Sequence, residues 1–386
     1  MPLAQPFQTI VRCGTLVLPH MIVRGWSVRI INSRIAEIGA HIDAPADAQV
    51  IDATQHIVLP GFVDIHVHGA MNADTMDATP EALHTMARHF AQHGVTSFCP
   101  TTVTAPHTLI DAAIENVRRY MALPRHSRVA QVLGAHIEGP YLNPKRAGAQ
   151  PREHMRPARL DEYGPWFASG VVKLITVAPE IYPANHALIS DARLAGVAVA
   201  LGHTDATYAE ALTAFATGAN QVTHTYNGMR PFHHREPGVL GALMTERDIY
   251  AQLICDGLHV HAAAMHALYL CKGSSRLVVI SDAICATGLP DGEYSFVGQM
   301  VAVQHGQARL KDGELAGSTA TMDVGFRNMI KTTGCSLVDA ALMCAHSPAS
   351  SIGMGDCKGK IALDYDADFV ILDHDLQFVQ SIVGGQ

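Results

Sequence analysis

Leu59-Pro60-Gly61-Phe62-Val63-Asp64-Ile65-His66-Val67-His68-Gly69 decides the architecture. Its apolar stretch, residues 61–65, reads as a buried strand that runs straight into two histidines. His66 and His68 are two positions apart, so on an extended backbone their imidazoles face the same side. A strand that delivers paired metal-binding side chains at its C-terminal end is how a parallel α/β barrel builds its chemistry.

Working outward, seven further short apolar runs recur at 95–99, 129–135, 171–177, 197–201, 221–223, 251–254 and 277–280. Helical patterns separate most of them. Thr79-Pro80-Glu81 gives one helix an N-cap, a proline in the first turn and an early acid, and Gly94 marks its end. Another runs over residues 207–216 and closes at Gly218. Alternating strand and helix implies a parallel sheet with crossovers, and eight units predict a (β/α)8 TIM-like barrel over residues 59–354. An open doubly wound sheet is the competing arrangement, weakened because no GxGxxG follows an early strand. The ends differ in kind. TLVLP, MIVRGWSVRII, RIAEIGA and QVIDATQHIVL near the start, and GKIALDYDADFVILDHDLQFVQSIVGGQ near the finish, are short β-like runs with turns between them. They predict a small β-sandwich domain built from both termini, residues 1–58 plus 355–386.

Composition sets bounds. The 386 residues are 48% apolar, enough for a large buried core and too many for a disordered chain. A net charge of −8 argues against a non-specific nucleic-acid binder. The eight cysteines include no CxxC pair, the N-terminus lacks the plan of a signal peptide, and no apolar run spans a bilayer. The expectation is a soluble cytoplasmic protein with free thiols and no membrane partner.

The polar residues at the predicted strand ends suggest the function. They are His66 and His68, then Glu138, His203, His224 and Asp282. Four imidazoles and a carboxylate from neighbouring strands suit Zn²⁺, Fe²⁺ or a similar divalent ion in a hydrolytic role. Asp282, read alone, is a helix N-cap; beside a metal cluster it is a proton carrier. In the loop after the sixth strand, Arg230 or Arg235 could pair with an anionic substrate.

The stretches LPGFVDIHVHG, HIEGPYLNP, LGHTDAT, THTYNGMRPFHHREPG, ICDGLHVH, VISDAICATGLPDGEY and LAGSTATMDVGFRNMI, with DADFVILD near the C-terminus, resemble the amidohydrolase superfamily and within it the N-acetylglucosamine-6-phosphate deacetylases. The resemblance implies metal-dependent hydrolysis of the acetamide of an amino-sugar 6-phosphate. It implies Glu138, His203 and His224 around the catalytic metal, His66 and His68 at a second one, and Asp282 as general base and then acid. One or two ions per subunit would serve, zinc or iron first, manganese or cobalt as alternatives. It also implies that Asn227 and Gly228 hold the phosphate, that Arg235 and His259 contact substrate, and that the arginine comes from the neighbouring subunit of a homodimer. Two departures stand out: Gln150 replaces a family histidine that engages substrate, and Gly228 replaces a common alanine. YNGM followed by HHREPG also resembles N-acetylgalactosamine-6-phosphate deacetylases. A cyclic amidase or nucleobase deaminase using Lys173 as a carbamate, and a non-enzymatic sugar-phosphate sensor, are the competing functions.

Overall fold

The computed structural model describes residues 8–124 and 128–386; the first seven residues of the expected terminal domain lie outside them. Eight parallel strands form the barrel: β1 (Phe62–Val67), β2 (Val95–Thr102), β3 (Ala135–Glu138), β4 (Val172–Val177), β5 (Ala198–Leu201), β6 (Gln221–Val222), β7 (Tyr250–Ile254) and β8 (Leu277–Ile280). Each pairs with the next from β1 to β8. The seam between β8 and β1 closes just past the strand ends, where Asp282 N–H donates to His66 O at 3.0 Å and His68 N–H to Ala283 O at 2.8 Å.

The helices wrap the outside. In α1 (Pro80–Ala91) the Thr79 hydroxyl caps Ala82 N–H, and Leu83, Met86, Ala87 and Phe90 recur at helical spacing to bury one face. In α2 (Tyr208–Thr217) Thr207 and Glu210 form a capping box, and Gly218 ends the helix. Both helices match the sequence expectation. The run expected over 129–135 does not form a single strand. Gln131–Val132 pairs with β2, the chain bends at Gly134 (φ +146°), and β3 begins at Ala135. A Cβ at Gly134 would lie 2.3 Å from the Val171 carbonyl oxygen, so close strand approach requires glycine there.

The terminal strands join in one mixed seven-stranded sheet. The first (Gln8–Val17) runs parallel to Gln49–Pro60, which leads directly into β1 and pairs on its other side with Phe369–Leu372 near the C-terminus. This sheet has its own core, with Val11, Val28, Ile35, Phe369 and Ile382 fully or nearly fully buried. The first two acids of DADFVILD serve the fold. Asp366 and Asp368 grip the buried Lys358 ammonium at 2.8 and 2.6 Å. An ion pair this deep is costly to break by removing one partner.

A three-stranded hairpin unit (Gly292–Phe296, Gln299–Gln304 and Gln307–Arg309) stands between β8 and α3 (Met322–Thr333). Phe296 projects to within 5.5 Å of the His68 ring, so the hairpin overhangs the C-terminal mouth of the barrel.

Candidate metal centre and active site

The strand-end residues converge. His66, His68 and Asp282 place ligand atoms within 4.8 Å of one another, and Glu138, His203 and His224 do the same. Glu138 links the two groups. Its Oε1 lies 3.2 Å from the Nε2 atoms of both His203 and His224 and 3.4 Å from His66 Nε2, and its Oε2 lies 3.3 Å from His68 Nε2. Asp282 Oδ1 stands opposite, 3.4 and 3.3 Å from His66 and His68.

Local backbone geometry helps aim these groups. His203, His224 and Asp282 all sit at positive φ (48°, 25° and 51°), a region that residues other than glycine seldom adopt. Such conformations persist only where the surroundings enforce them, and they concentrate at functional sites.

The two carboxylates draw positive charge toward the centre of the cluster. Burial disfavours charge on His66 and His68, but the Glu138 and Asp282 carboxylates outweigh it and hold both imidazoles above their ordinary value, His68 at about 10. Burial likewise opposes charge on Glu138, yet the neighbouring His66, His203 and His224 drive its carboxyl well down. Asp282 is also held low, by His66 and His68 against its burial. Two buried carboxylates thus stay ionised by drawing positive charge onto surrounding nitrogens. Among the described residues His66 Nε2 is buried with no hydrogen-bond partner, an unmet atom aimed at the centre of the cluster. Four nitrogens and two carboxylates converging around such an atom suit one or two divalent ions.

Three of the four histidines have their other ring nitrogen on a backbone carbonyl: His68 Nδ1 on Thr101 O (3.2 Å), His203 Nδ1 on Arg146 O (2.8 Å) and His224 Nδ1 on Asn227 O (3.1 Å). A carbonyl can only accept, so Nδ1 carries a proton and Nε2 is the ring nitrogen left to face the cluster and to bind an ion there.

A cavity of about 490 Å³ opens above the cluster, and Gln150, Asn227, Gly228, His259 and Phe296 line it. Gln150 is engaged from both ends: Nε2 donates to Glu138 Oε2 at 2.6 Å and Oε1 accepts from Thr104 N–H at 2.7 Å. His259 is braced by Asp256, whose Oδ2 lies 2.6 Å from Nδ1, leaving Nε2 as its unengaged ring nitrogen. Arg230, considered as an anion partner, is bound to Asp205 instead. Arg235 does not join the others; it is exposed outside the cavity of its own chain, against His234. Lys173 sits at the N-terminal end of β4 and belongs to neither ligand group. β4 offers the site Thr176, hydrogen-bonded to the buried His136.

The sequence reading gave no role to Asp256, Thr104, Lys145 or Arg152. Lys145 and Arg152 are exposed cations on the cavity rim. The Asp256 to His259 spacing was a readable signal, since three residues suffice for a turn that brings a carboxylate to an imidazole.

A family model for the amidohydrolase family matches residues 57–385. The chain belongs to the amidohydrolase family. It is 41% identical over 382 residues to the N-acetylglucosamine-6-phosphate deacetylase of Bacillus subtilis, covering 96% of this chain and 94% of the relative. It is 38% identical over 368 residues to an N-acetylgalactosamine-6-phosphate deacetylase of Escherichia coli, covering 94% and 95%. The solved structure of a mutant N-acetylglucosamine-6-phosphate deacetylase from Mycobacterium smegmatis, in complex with N-acetylglucosamine 6-phosphate, superimposes with a TM-score of 0.90 at 30% identity, covering 98% of this chain and 99% of that one. This amidohydrolase therefore sits in the deacetylase branch. Among its described residues no helix is long and apolar enough to cross a membrane.

Proposed function

We propose that this amidohydrolase hydrolyses the acetamide of N-acetylglucosamine 6-phosphate, giving glucosamine 6-phosphate and acetate. One observation carries the reading: Glu138 joins two ligand groups beneath a single cavity, with the ionised Asp282 facing it across the cluster. The full-length similarity to deacetylases of this substrate supports it.

Glu138, His203 and His224 would hold one divalent ion and His66, His68 and Asp282 a second; zinc or iron is the first choice, manganese or cobalt the alternative. When bound, such an ion polarises the amide carbonyl and acidifies water. Asp282, kept ionised by its histidine neighbours, accepts the proton released as oxygen bonds to the acetyl carbon. It returns that proton to the nitrogen as the C–N bond breaks, so one group serves as base and then acid. Asn227, Gly228 and the His259 Nε2 hold the sugar phosphate, and the cations Lys145 and Arg152 make the mouth attractive to an anion. Gln150 keeps the Glu138 carboxylate in place and retains one N–H for substrate.

Arg235, exposed in its own chain, would complete the phosphate site of a neighbouring subunit, which makes the working form a homodimer. Residues 1–58 with 355–386 would form the small domain and 59–354 the catalytic barrel, in a cytoplasmic enzyme.

The test is acetate release from the gluco and galacto 6-phosphates side by side with metal-replete protein. Preference for the gluco sugar is expected; release from neither overturns the reading. Preference for the galacto sugar favours the second reading, N-acetylgalactosamine-6-phosphate deacetylation, which rests on Gly228 and on the Escherichia coli relative.

A further inference from the structure

His66 differs from the other three histidines of the cluster. Its Nδ1 meets no backbone carbonyl; it meets a side-chain amide, Gln252 Oε1, at 3.2 Å. An amide presents an acceptor or a donor depending on which way it is turned. Turned the other way, Gln252 would offer N–H, force Nδ1 to accept, and place the proton on Nε2, where it would block the cluster.

The interior of the barrel fixes the direction. Gln252 and Gln221 are fully buried polar side chains, from β7 and β6. Gln252 Nε2 donates to Gln221 Oε1 at 2.9 Å. Gln221 Nε2 in turn faces the Ser351 carbonyl oxygen at 3.3 Å and Asn220 Oδ1 at 3.4 Å. Asn220 Nδ2 donates to the same Ser351 oxygen at 2.9 Å, which turns its Oδ1 toward Gln221. The chain of bonds ends on a backbone carbonyl, which cannot donate. Reading back from it, Gln221 must point its NH2 at Ser351 and its oxygen at Gln252. Gln252 must then point its oxygen at His66. Reversing either amide sets oxygen against oxygen in a buried site, at a cost of roughly 1–3 kcal/mol per unmet group.

We propose that Gln221 and Gln252 are positioning residues: a one-way amide relay, anchored on the Ser351 carbonyl, holds the proton of His66 on Nδ1 and so keeps Nε2 available to a divalent ion. The relay explains two buried glutamines where a barrel interior is ordinarily apolar. It also extends the support of the second metal site one residue beyond direct contact, since Gln221 does not touch His66. It rests on the proposed two-ion reading of the cluster.

The test is zinc binding. After dialysis against Zn²⁺, the wild type is expected to hold two ions per chain by elemental analysis. Gln221→Met and Gln252→Met, close in size and apolar, should each hold one tightly and bind the second about 10- to 100-fold more weakly, the usual loss for an outer hydrogen-bond partner. Two ions held with wild-type affinity by a folded Gln221→Met overturns the relay and leaves the metal reading intact. No zinc on the wild type overturns the metal reading itself, and a single ion there overturns this proposal alone. Should the variants fail to fold, the metal-free wild type with His66 neutral decides. Proton–nitrogen correlation spectra with labelled histidine should show a slowly exchanging Nδ1 proton on His66, and a proton on Nε2 overturns the assignment.

Discussion

Asp282 N–H donates to the carbonyl oxygen of His66 across 3.0 Å, one of the bonds that close the barrel between its last strand and its first. The two residues whose side chains meet at the cluster are therefore also joined through their main chains. Asp282→Asn keeps that backbone bond, removes a base and weakens one ligand group. Turnover should fall by about 10²–10⁴-fold, the range for a lost acid–base group. Elemental analysis should find the ion at Glu138, His203 and His224 retained. A variant with most of its kcat intact would sink the base assignment.

Gln150→Ala should cost stability as well as rate. It strands the Thr104 N–H and removes the short donor to Glu138. The expected loss is about 1–3 kcal/mol for the buried group left unpaired, read as a lower midpoint in urea with an unchanged slope. Unaltered stability would mean that water or a neighbour takes over both bonds.

Gly228 stands at φ +59°, and a Cβ there would lie 3.1 Å from His203 Nδ1 and 3.3 Å from His224 Cε1. Gly228→Ala should push both imidazoles, lowering kcat at least several-fold while the circular dichroism of the fold stays the same. Wild-type kcat together with an altered gluco-to-galacto preference would make this position a specificity residue only.

Arg235→Ala should raise KM for phosphorylated substrate and leave thermal stability untouched, since the side chain is exposed. Mixing this variant with Asp282→Asn under conditions that exchange subunits should restore activity, because a mixed dimer regains one intact site. No recovery on mixing would place Arg235 in its own chain's site or in none.

Asp323 is tied to His93 at 3.1 Å and to Arg327 at 2.9 Å, linking α3 to the turn after α1. Burial opposes its charge, but bonds from His93 and Thr321 and the Arg327 charge bring its carboxyl down to about 2. The folded value lies below the unfolded one, so this stabilisation is fully present above about pH 4 and disappears as pH falls toward 2. Its size is roughly 2 kcal/mol by that linkage. Asp323→Asn should unfold more easily at pH 7 and lose less stability than the wild type between pH 4 and 2; parallel pH profiles would refute the link.

The site was legible because its chemistry rides on single residues at strand ends. HVH, HIEG, GHT, THT and SDA each follow an apolar run, and a parallel barrel gathers such ends on one face. What escaped depended on partners remote in sequence. Gln221 and Gln252 lie inside the runs 221–223 and 251–254, and only the closed barrel sets one against the other. Arg230 read as a free cation until Asp205 met it. The hairpin unit over the mouth left a signal that could have been used: QMVAVQ, the turn at His305-Gly306, then QAR, an alternating strand with a turn after it. The break in the third strand hangs on Gly134, where Val171 and Lys173 lie too close for any side chain.

The terminal sheet has a consequence for how the chain is made. Its strand Gln49–Pro60 lies between Gln8–Val17 and Phe369–Leu372, and the Thr9 hydroxyl reaches the carbonyl oxygen of Gly385. On a ribosome that delivers residues in order, the first five strands emerge with an open edge and wait through the synthesis of the whole barrel for their last two partners. Contacts so distant in sequence form late, and an unpaired strand edge invites association with other chains. The open edge of Gln49–Pro60 therefore stays uncovered until Phe369–Leu372 and Phe378–Ile382 arrive to complete the sheet.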